Sequence, residues 1–247
     1  MSRKYANPPI VEVVCELRAS PDSKWDLTIP GLIYEELKDN FPNKEQRVVQ
    51  EIELQKQEFN NIQQLLRSDE RAMFFSPDRK TFVQVGNRLL AINRLKPYIL
   101  WNELKPKIEN AFYAFRKSTE INGLQRIGLR YINRIEITDK QIRLEEYLNF
   151  RPFLGGKLPQ NLVSFVVGCL IPFSDGRDIC KLQISDVIPD KDSNSSFLLD
   201  IDYYLNKPLA VPLSEVLEWM ELAHQNIEEM FEACITDQLR EFFGEVK

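Results

Sequence analysis

The sequence predicts an α+β fold made of two pseudo-repeated halves, and three observations lead to this prediction. Several segments alternate apolar and polar residues with the period of a β-strand, and others repeat apolar residues with the period of a helix. A proline stands at the start of each of the two longest helical segments, Pro97 in the first and Pro212 in the second. The order strand, short helix, strands, long helix occurs twice, with a period of about 118 residues.

We therefore expect a first half at residues 1–122 and a second at 123–247, tightly joined or merged into one structural domain. In each half a curved antiparallel sheet would pack on the long helix, because a sheet with one apolar face must cover that face. This element order is similar to the helix-grip and TATA-binding-protein-like topologies, a likeness that carries no function. The alternative is a single α+β domain whose halves are alike by chance.

The first half opens with a strand, because Val11, Val13, Cys15 and Leu17 share one face of residues 10–18. A short amphipathic helix follows, with Thr28 as its expected N-cap. The remaining elements expected in this half are strands at 47–59, 72–75, 81–85 and 89–95, a tight turn at 76–79 and a helix at 97–117.

The second half opens with the strand that alternates most clearly, at residues 126–137. Apolar residues then continue at helical spacing from 213 to 243, which predicts one long final helix. The elements expected between them are a short helix at 144–150 and strands at 162–173, 179–187 and 197–205.

Composition indicates an ordered globular chain. Of its 247 residues, 43% are hydrophobic and 28% are charged, which is close to the average for such proteins. The net charge of −5 gives no overall field that would draw the chain to nucleic acid or to anionic lipid. The four cysteines include no C-x-x-C pair and are expected to be buried thiols, and no apolar run is long enough to span a bilayer. We expect a cytoplasmic protein with no membrane contact.

The strand at 126–137 carries an unusual stripe of arginines. Alternation places Arg126, Arg130 and Arg134 on one face. The other face would hold Ile127, Leu129, Tyr131, Asn133 and Ile135, among which the Asn133 amide needs hydrogen-bond partners. Guanidinium groups in such a stripe can bind phosphate or carboxylate groups bidentately.

Two interpretations of the arginine stripe are open. In the first, the opening strands of the two halves are neighbours, so that Glu12 and Glu16 form a salt ladder with Arg130 and Arg134. In the second, the stripe binds a ligand or a partner.

Other residues suggest weaker candidate sites. Asp200 and Asp202 share one face of a strand, and with Asp186 they could form a carboxylate cluster for Mg²⁺, although alternating acids usually mark a solvated face. His224 lies at the edge of the last apolar stripe and is more typical of a packed core residue than of a catalytic one. The sequence has no glycine-rich nucleotide loop and no nucleophile motif, so no cofactor is expected.

Several segments resemble a sporadically distributed prokaryotic family of about this length. The matching segments are residues 7–18, 83–85, 95–98, 129–135, 224–232 and 235–237, together with Trp101. The resemblance spans nearly the whole chain, and the run Leu-Arg-Tyr-Ile-Asn-Arg-Ile at 129–135 is its most specific motif. The family has no assigned activity, and its patchy distribution would suit a defence or toxin–antitoxin context.

These observations favour a non-enzymatic binding protein that recognises a protein partner or a small anionic ligand, since no catalytic or cofactor motif is found. Alternatives are a saddle-shaped nucleic-acid-binding protein and a metal-dependent hydrolase that uses Asp186, Asp200 and Asp202. A second copy of the chain, giving a homodimer, is left open as a partner. The expected binding residues are Glu12, Glu16, Arg126, Arg130, Asn133, Arg134 and His224.

Overall fold

The computed structural model describes residues 3–56, 62–139, 142–159, 162–191 and 194–246, with side chains described outside residues 49–68. Its described α-helices are α1 (Ile29–Leu37), α2 (Trp101–Ser118), α3 (Leu144–Tyr147), α4 (Val216–Cys234) and α5 (Asp237–Phe243). Among them none has the length and apolar character needed to cross a bilayer.

The β-strands confirm the predicted α+β class, because they form antiparallel sheets beside these helices. They are β1 (Lys4–Tyr5), β2 (Ile10–Ala19), β3 (Asn43–Lys56), β4 (Ile62–Phe75), β5 (Thr81–Gly86), β6 (Leu89–Leu95), β7 (Leu124–Ile137), β8 (Val166–Phe173), β9 (Asp178–Asp186), β10 (Ser195–Leu205) and β11 (Glu245–Val246). The short strands β1 and β11 pair with each other and were not predicted from the sequence.

The chain divides into two compact units whose segments alternate along the sequence. Unit 1 comprises Met1–Cys15, Leu95–Ile99 and Arg126–Lys247, and unit 2 comprises Glu16–Arg94 and Leu100–Gln125. The expected halves, 1–122 and 123–247, would place all of β2 in the first half. Residues 10–15 of β2 instead belong to unit 1, because β2 is a sheet neighbour of β7.

In unit 1 the sheet order is β2-β7-β10-β9-β8, and the pairs β7/β10, β10/β9 and β9/β8 are antiparallel. Helix α4 packs on β10 and covers one face of the sheet. Trp219 of α4 contacts the ring of Tyr203 with centroids 5.5 Å apart, and Met220 lies 3.8 Å from the Cys15 sulfur. Burial of this apolar face supplies the main stabilisation of the unit.

In unit 2 the order β3-β4-β5-β6 is antiparallel throughout. The strand expected at 72–75 is the end of the much longer β4, whose first part is too polar to show alternation. The strand expected at 47–59 corresponds to β3, with its positions 57–59 outside the described residues. Helix α1 packs on α2. The buried residues of α2 include Leu104, Ile108 and Phe115.

Thr28 is the N-cap residue of α1 as expected, but its side chain makes no cap bond, because its hydroxyl binds Asp26 instead. Two other expectations, about the last helix and the thiols, were wrong. The single final helix is interrupted after Cys234, where Ile235 is extended and forms a bridge with Leu148, and α5 then begins. Cys169 is exposed on β8, whereas the other three cysteines are buried as expected.

Candidate functional site

Strand alternation gives the unit 1 sheet two unlike faces. From Ile127 to Ile137 the odd-numbered residues of β7 are buried, whereas Arg126, Arg130 and Arg134 are partly exposed, as the sequence predicted. The odd-numbered residues of β10 from Phe197 to Leu205, among them Tyr203, point to the α4 side and are buried. We call the other side the open face; it is formed by Arg126, Arg130, Arg134, Asp200, Asp202, Tyr204, Lys181, Gln183, Val166, Gly168 and Leu170.

Arg130 and Asp200 form a bidentate ion pair at the centre of the open face. Nε of Arg130 donates to Oδ1 of Asp200 at 2.7 Å, and Nη2 donates to Oδ2 at 2.6 Å. The Arg130 side chain is 44% exposed and that of Asp200 is 8% exposed. The hydrogen bond to Asp200 raises the pKa of the Arg130 guanidinium, with further attraction from Asp202 and Glu12, while desolvation opposes this rise.

Arg126 and Asp202 form a second pair beside the first. Nη2 of Arg126 donates to both carboxylate oxygens of Asp202, at 3.0 and 3.3 Å. The guanidinium also lies over the Tyr204 ring, 4.8 Å from its centroid. Burial raises the pKa of the Asp202 carboxyl, and the nearby Arg126 and Arg130 charges oppose that shift. The ion pair with Arg126 therefore opposes the desolvation of the Asp202 carboxylate.

Arg134 is held at the end of the stripe by the segment that follows β9. Its Nη2 donates at 2.8 Å to the Ile188 carbonyl and at 2.8 Å to Oδ1 of Asp190. Its Nε lies 3.9 Å from Glu136, which is too long for a hydrogen bond, and has no hydrogen-bond partner among the described residues. Glu136 instead accepts from the Asp190 backbone N–H at 2.9 Å.

These pairings correct the expected salt ladder. The carboxylates that bind the arginines come from β10 and from the segment after β9, because Asp200 lies diagonally across from Arg130 and within reach of its long side chain. Glu12 contributes attraction to Arg130 within unit 1. Glu16 belongs to unit 2, where it accepts a hydrogen bond from Arg18 at 2.7 Å.

Asn133 and His224 lie on the buried side of the sheet, away from the open face. Asn133 is 1% exposed, and its amide donates to the Leu199 carbonyl at 3.2 Å, which provides the partner that a buried amide requires. His224 Nδ1 lies 3.0 Å from the Tyr131 hydroxyl. Both residues therefore have the geometry of hydrogen-bonded core side chains.

His224 belongs to a chain of polar groups that crosses the core of unit 1. The Tyr131 hydroxyl lies 3.2 Å from that of Tyr98, and His224 Nε2 lies 3.3 Å from Glu228. Burial raises the pKa of Tyr98 to about 12 and raises that of Tyr131 well above its ordinary value. Both phenols therefore stay protonated and act as hydrogen-bonding groups, not as phenolate nucleophiles.

The expected carboxylate cluster does not assemble. Asp186 pairs with Phe197 in the β9/β10 register and so points to the opposite face from Asp200 and Asp202. Its Oδ1 accepts hydrogen bonds from the Phe165 N–H and the Ser164 hydroxyl. Within the described ranges, no group of three or more His, Cys, Asp or Glu side chains could hold a metal ion. The metal-dependent hydrolase that needed this cluster is therefore not supported.

The sequence analysis identified the arginines but assigned their partners wrongly. Asp200 and Asp202 were considered only as metal ligands. The two aspartates share one face of their strand, as the three arginines do, and this was a usable signal for cross-strand pairing once β7 and β10 are placed side by side. The bond between Tyr131 and His224 could not be predicted from the sequence, since it depends on how α4 is placed on the sheet.

The chain was compared with protein-family models, with curated proteins and with solved structures. None of the three comparisons found a match.

Proposed function

We propose that the chain is a non-enzymatic binding protein and that the open face of unit 1 recognises a protein partner. The observation that carries this proposal is the array of partly exposed guanidinium groups, each fixed by an acidic or carbonyl acceptor. Such an array offers donors and acceptors at fixed positions without a cost for ordering long side chains on binding. Arginine and tyrosine, here Arg126 stacked on Tyr204, are also enriched in the residues that dominate protein interfaces.

The pairings favour a protein partner over a small anion. An anion would have to displace Asp200 from Arg130 or Asp202 from Arg126, since both guanidinium groups already bind carboxylates. A protein surface of mixed charge can instead engage the arginines and the aspartates together. Nucleic acid is disfavoured for the same reason as a small anion, because phosphate contacts need guanidinium groups that are not neutralised.

We also propose a topology, a cellular compartment and a family relationship for the chain. The order β2-α1-β3-β4-β5-β6-α2 followed by β7-α3-β8-β9-β10-α4 supports a pseudo-repeat related to the helix-grip topology. The four cysteines are thiols that form no disulfide bond, which agrees with a reducing compartment, and we place the protein in the cytoplasm. The motif at 129–135 forms the centre of β7, which links the resemblance to a sporadic prokaryotic family with the proposed surface.

Affinity capture with a paired variant tests the proposal. Arg130→Met combined with Asp200→Leu removes the central ion pair without leaving a buried charge. Wild-type protein should capture a specific protein from an extract of the native host, and the double variant should lose about tenfold or more of that capture. The readout is quantitative mass spectrometry of the eluted proteins.

The matched control is Lys117→Met combined with Glu36→Leu, which removes an exposed ion pair of unit 2. This control should capture as the wild type does. Equal capture by the wild type and the open-face variant would contradict the proposal. Binding of inorganic phosphate or of a duplex DNA in calorimetry, abolished by the same variant, would assign the face to anions instead.

A further inference from the structure

We propose that β8 is a dimerisation edge, at which two copies of the chain pair their β8 strands antiparallel across a two-fold axis. This inference goes beyond the proposed function and does not depend on it. Strand β8 ends the sheet order of unit 1, and among the described residues it pairs only with β9. Its outer edge therefore offers backbone N–H and C=O groups to a further strand.

The composition of this edge is unusual for a strand left open to solvent. Proteins normally protect such edges with charged side chains, especially lysine. Residues 158–173 contain no charged residue at all, and several of their side chains are exposed. Val163 is fully exposed, Val166 is 68% exposed and Leu170 is 59% exposed. Such an edge is a template for pairing with another strand.

The same composition favours a second copy as the occupant. Pairing between identical strands usually brings like charges close together, and an uncharged strand avoids this repulsion. A two-fold axis also generates antiparallel pairing, which would continue the antiparallel order of β10, β9 and β8. A strongly charged partner strand would find no counter-charge along this edge.

One register of the two β8 strands agrees with the two-fold symmetry and with the positions of the exposed side chains. Residues directly opposite in an antiparallel pair point to the same face, so a two-fold axis perpendicular to the sheet must lie midway between a residue and the same residue of the other copy. With the axis at Gly168, Val166 of each copy lies opposite Leu170 of the other. This pairing covers the two large apolar side chains of the strand that are exposed, and it places a residue without a side chain where the copies meet. Pro172, which lacks an N–H, then lies outside the central ladder at 166–170.

Sedimentation velocity across a concentration series tests the proposal. The wild type should form a reversible dimer at about 100 µM, since a single strand pair is smaller than a standard stable interface. Leu170→Lys places an unpaired charge in the interface and should raise the dimer dissociation constant by about tenfold or more. Leu27→Lys is the matched control, because it makes the same substitution at a leucine that is 96% exposed and lies outside β8. It should leave the dimer unchanged.

A second variant tests the register. In Val166→Glu combined with Leu170→Lys, each new carboxylate would face a new ammonium group of the other copy, so the dimer should be recovered. Circular dichroism should show unchanged folding in every variant, since these side chains are largely exposed. A monomeric wild type would overturn the proposal and leave the edge to a strand of another protein. A dimer that Leu170→Lys does not weaken, or one that the double variant fails to restore, would overturn it as well.

Discussion

Among the described residues of unit 1, Asp178 is the most deeply buried charge, with 0% exposure. Its carboxylate accepts hydrogen bonds from Trp219 Nε1 at 2.9 Å, from the Tyr203 hydroxyl at 3.2 Å and from Arg177 Nη2 at 2.7 Å. A buried carboxylate is tolerated only with this degree of compensation. Burial, with the Asp178 charge beside it, also raises the pKa of Tyr203 to about 12. This single residue therefore ties helix α4 to β9 and β10.

Replacing this carboxylate should destabilise unit 1. Asp178→Asn turns one acceptor oxygen into an amide donor that faces other donors, and it leaves Arg177 without its counter-charge. We expect the free energy of unfolding to fall by about 2–3 kcal/mol, measured by urea denaturation with tryptophan fluorescence as readout. Asp175→Asn is the control, since Asp175 is exposed and asparagine tolerates its positive φ of 54°. An equal fall in the free energy of unfolding for both variants would show that the hydrogen bonds of Asp178 do not stabilise unit 1 more than an exposed aspartate does.

The break between α4 and α5 shows how a local signal overrides an apolar stripe. The stripe continues through Ile235, yet Thr236 accepts a hydrogen bond from the Leu239 N–H and so caps α5. The Thr236 hydroxyl also donates to the Glu146 carbonyl at 2.5 Å. The Thr-Asp pair at 236–237 is an N-cap signature that was present in the sequence but was outweighed by periodicity.

Removing this cap should have a measurable cost. Thr236→Val keeps the shape of the side chain but removes both hydrogen bonds, so we expect a loss of about 1–2 kcal/mol in thermal or chemical unfolding. Thr28→Val is the comparison, because the Thr28 side chain makes no cap bond to α1. It should cost clearly less. A larger effect at Thr28 than at Thr236 would contradict the assignment of the caps.

At the scale of the whole molecule, the sequence predicted best what depends on local periodicity. The α+β class, the sidedness of β7 and the positions of most strands follow from residue alternation. Features that depend on which strands become neighbours could not be predicted in this way. Examples are the grouping of residues 1–15 with unit 1 and the pairing of Arg130 with Asp200 instead of Glu12. A strand pattern fixes which side chains share a face but not which strand lies alongside.

We propose that the ion pairs of the open face add little net stability to the fold, which would leave them available for recognition. Buried or half-buried ion pairs often contribute little net stability, because desolvation offsets their attraction. Breaking such a pair from one side is nevertheless costly, since the remaining charge stays where it was. Arg130 and Asp200 fit this description, with one partner 44% exposed and the other 8%.

A double-mutant cycle on the free energy of unfolding tests this claim most directly. It compares the wild type, Arg130→Met, Asp200→Leu and the combined variant in urea denaturation. We predict that each single variant loses about 1–3 kcal/mol, and that the combined variant returns to within about 1 kcal/mol of the wild type. A combined variant as unstable as the sum of the two single variants would show that the two side chains stabilise the fold independently of each other, and would contradict this prediction.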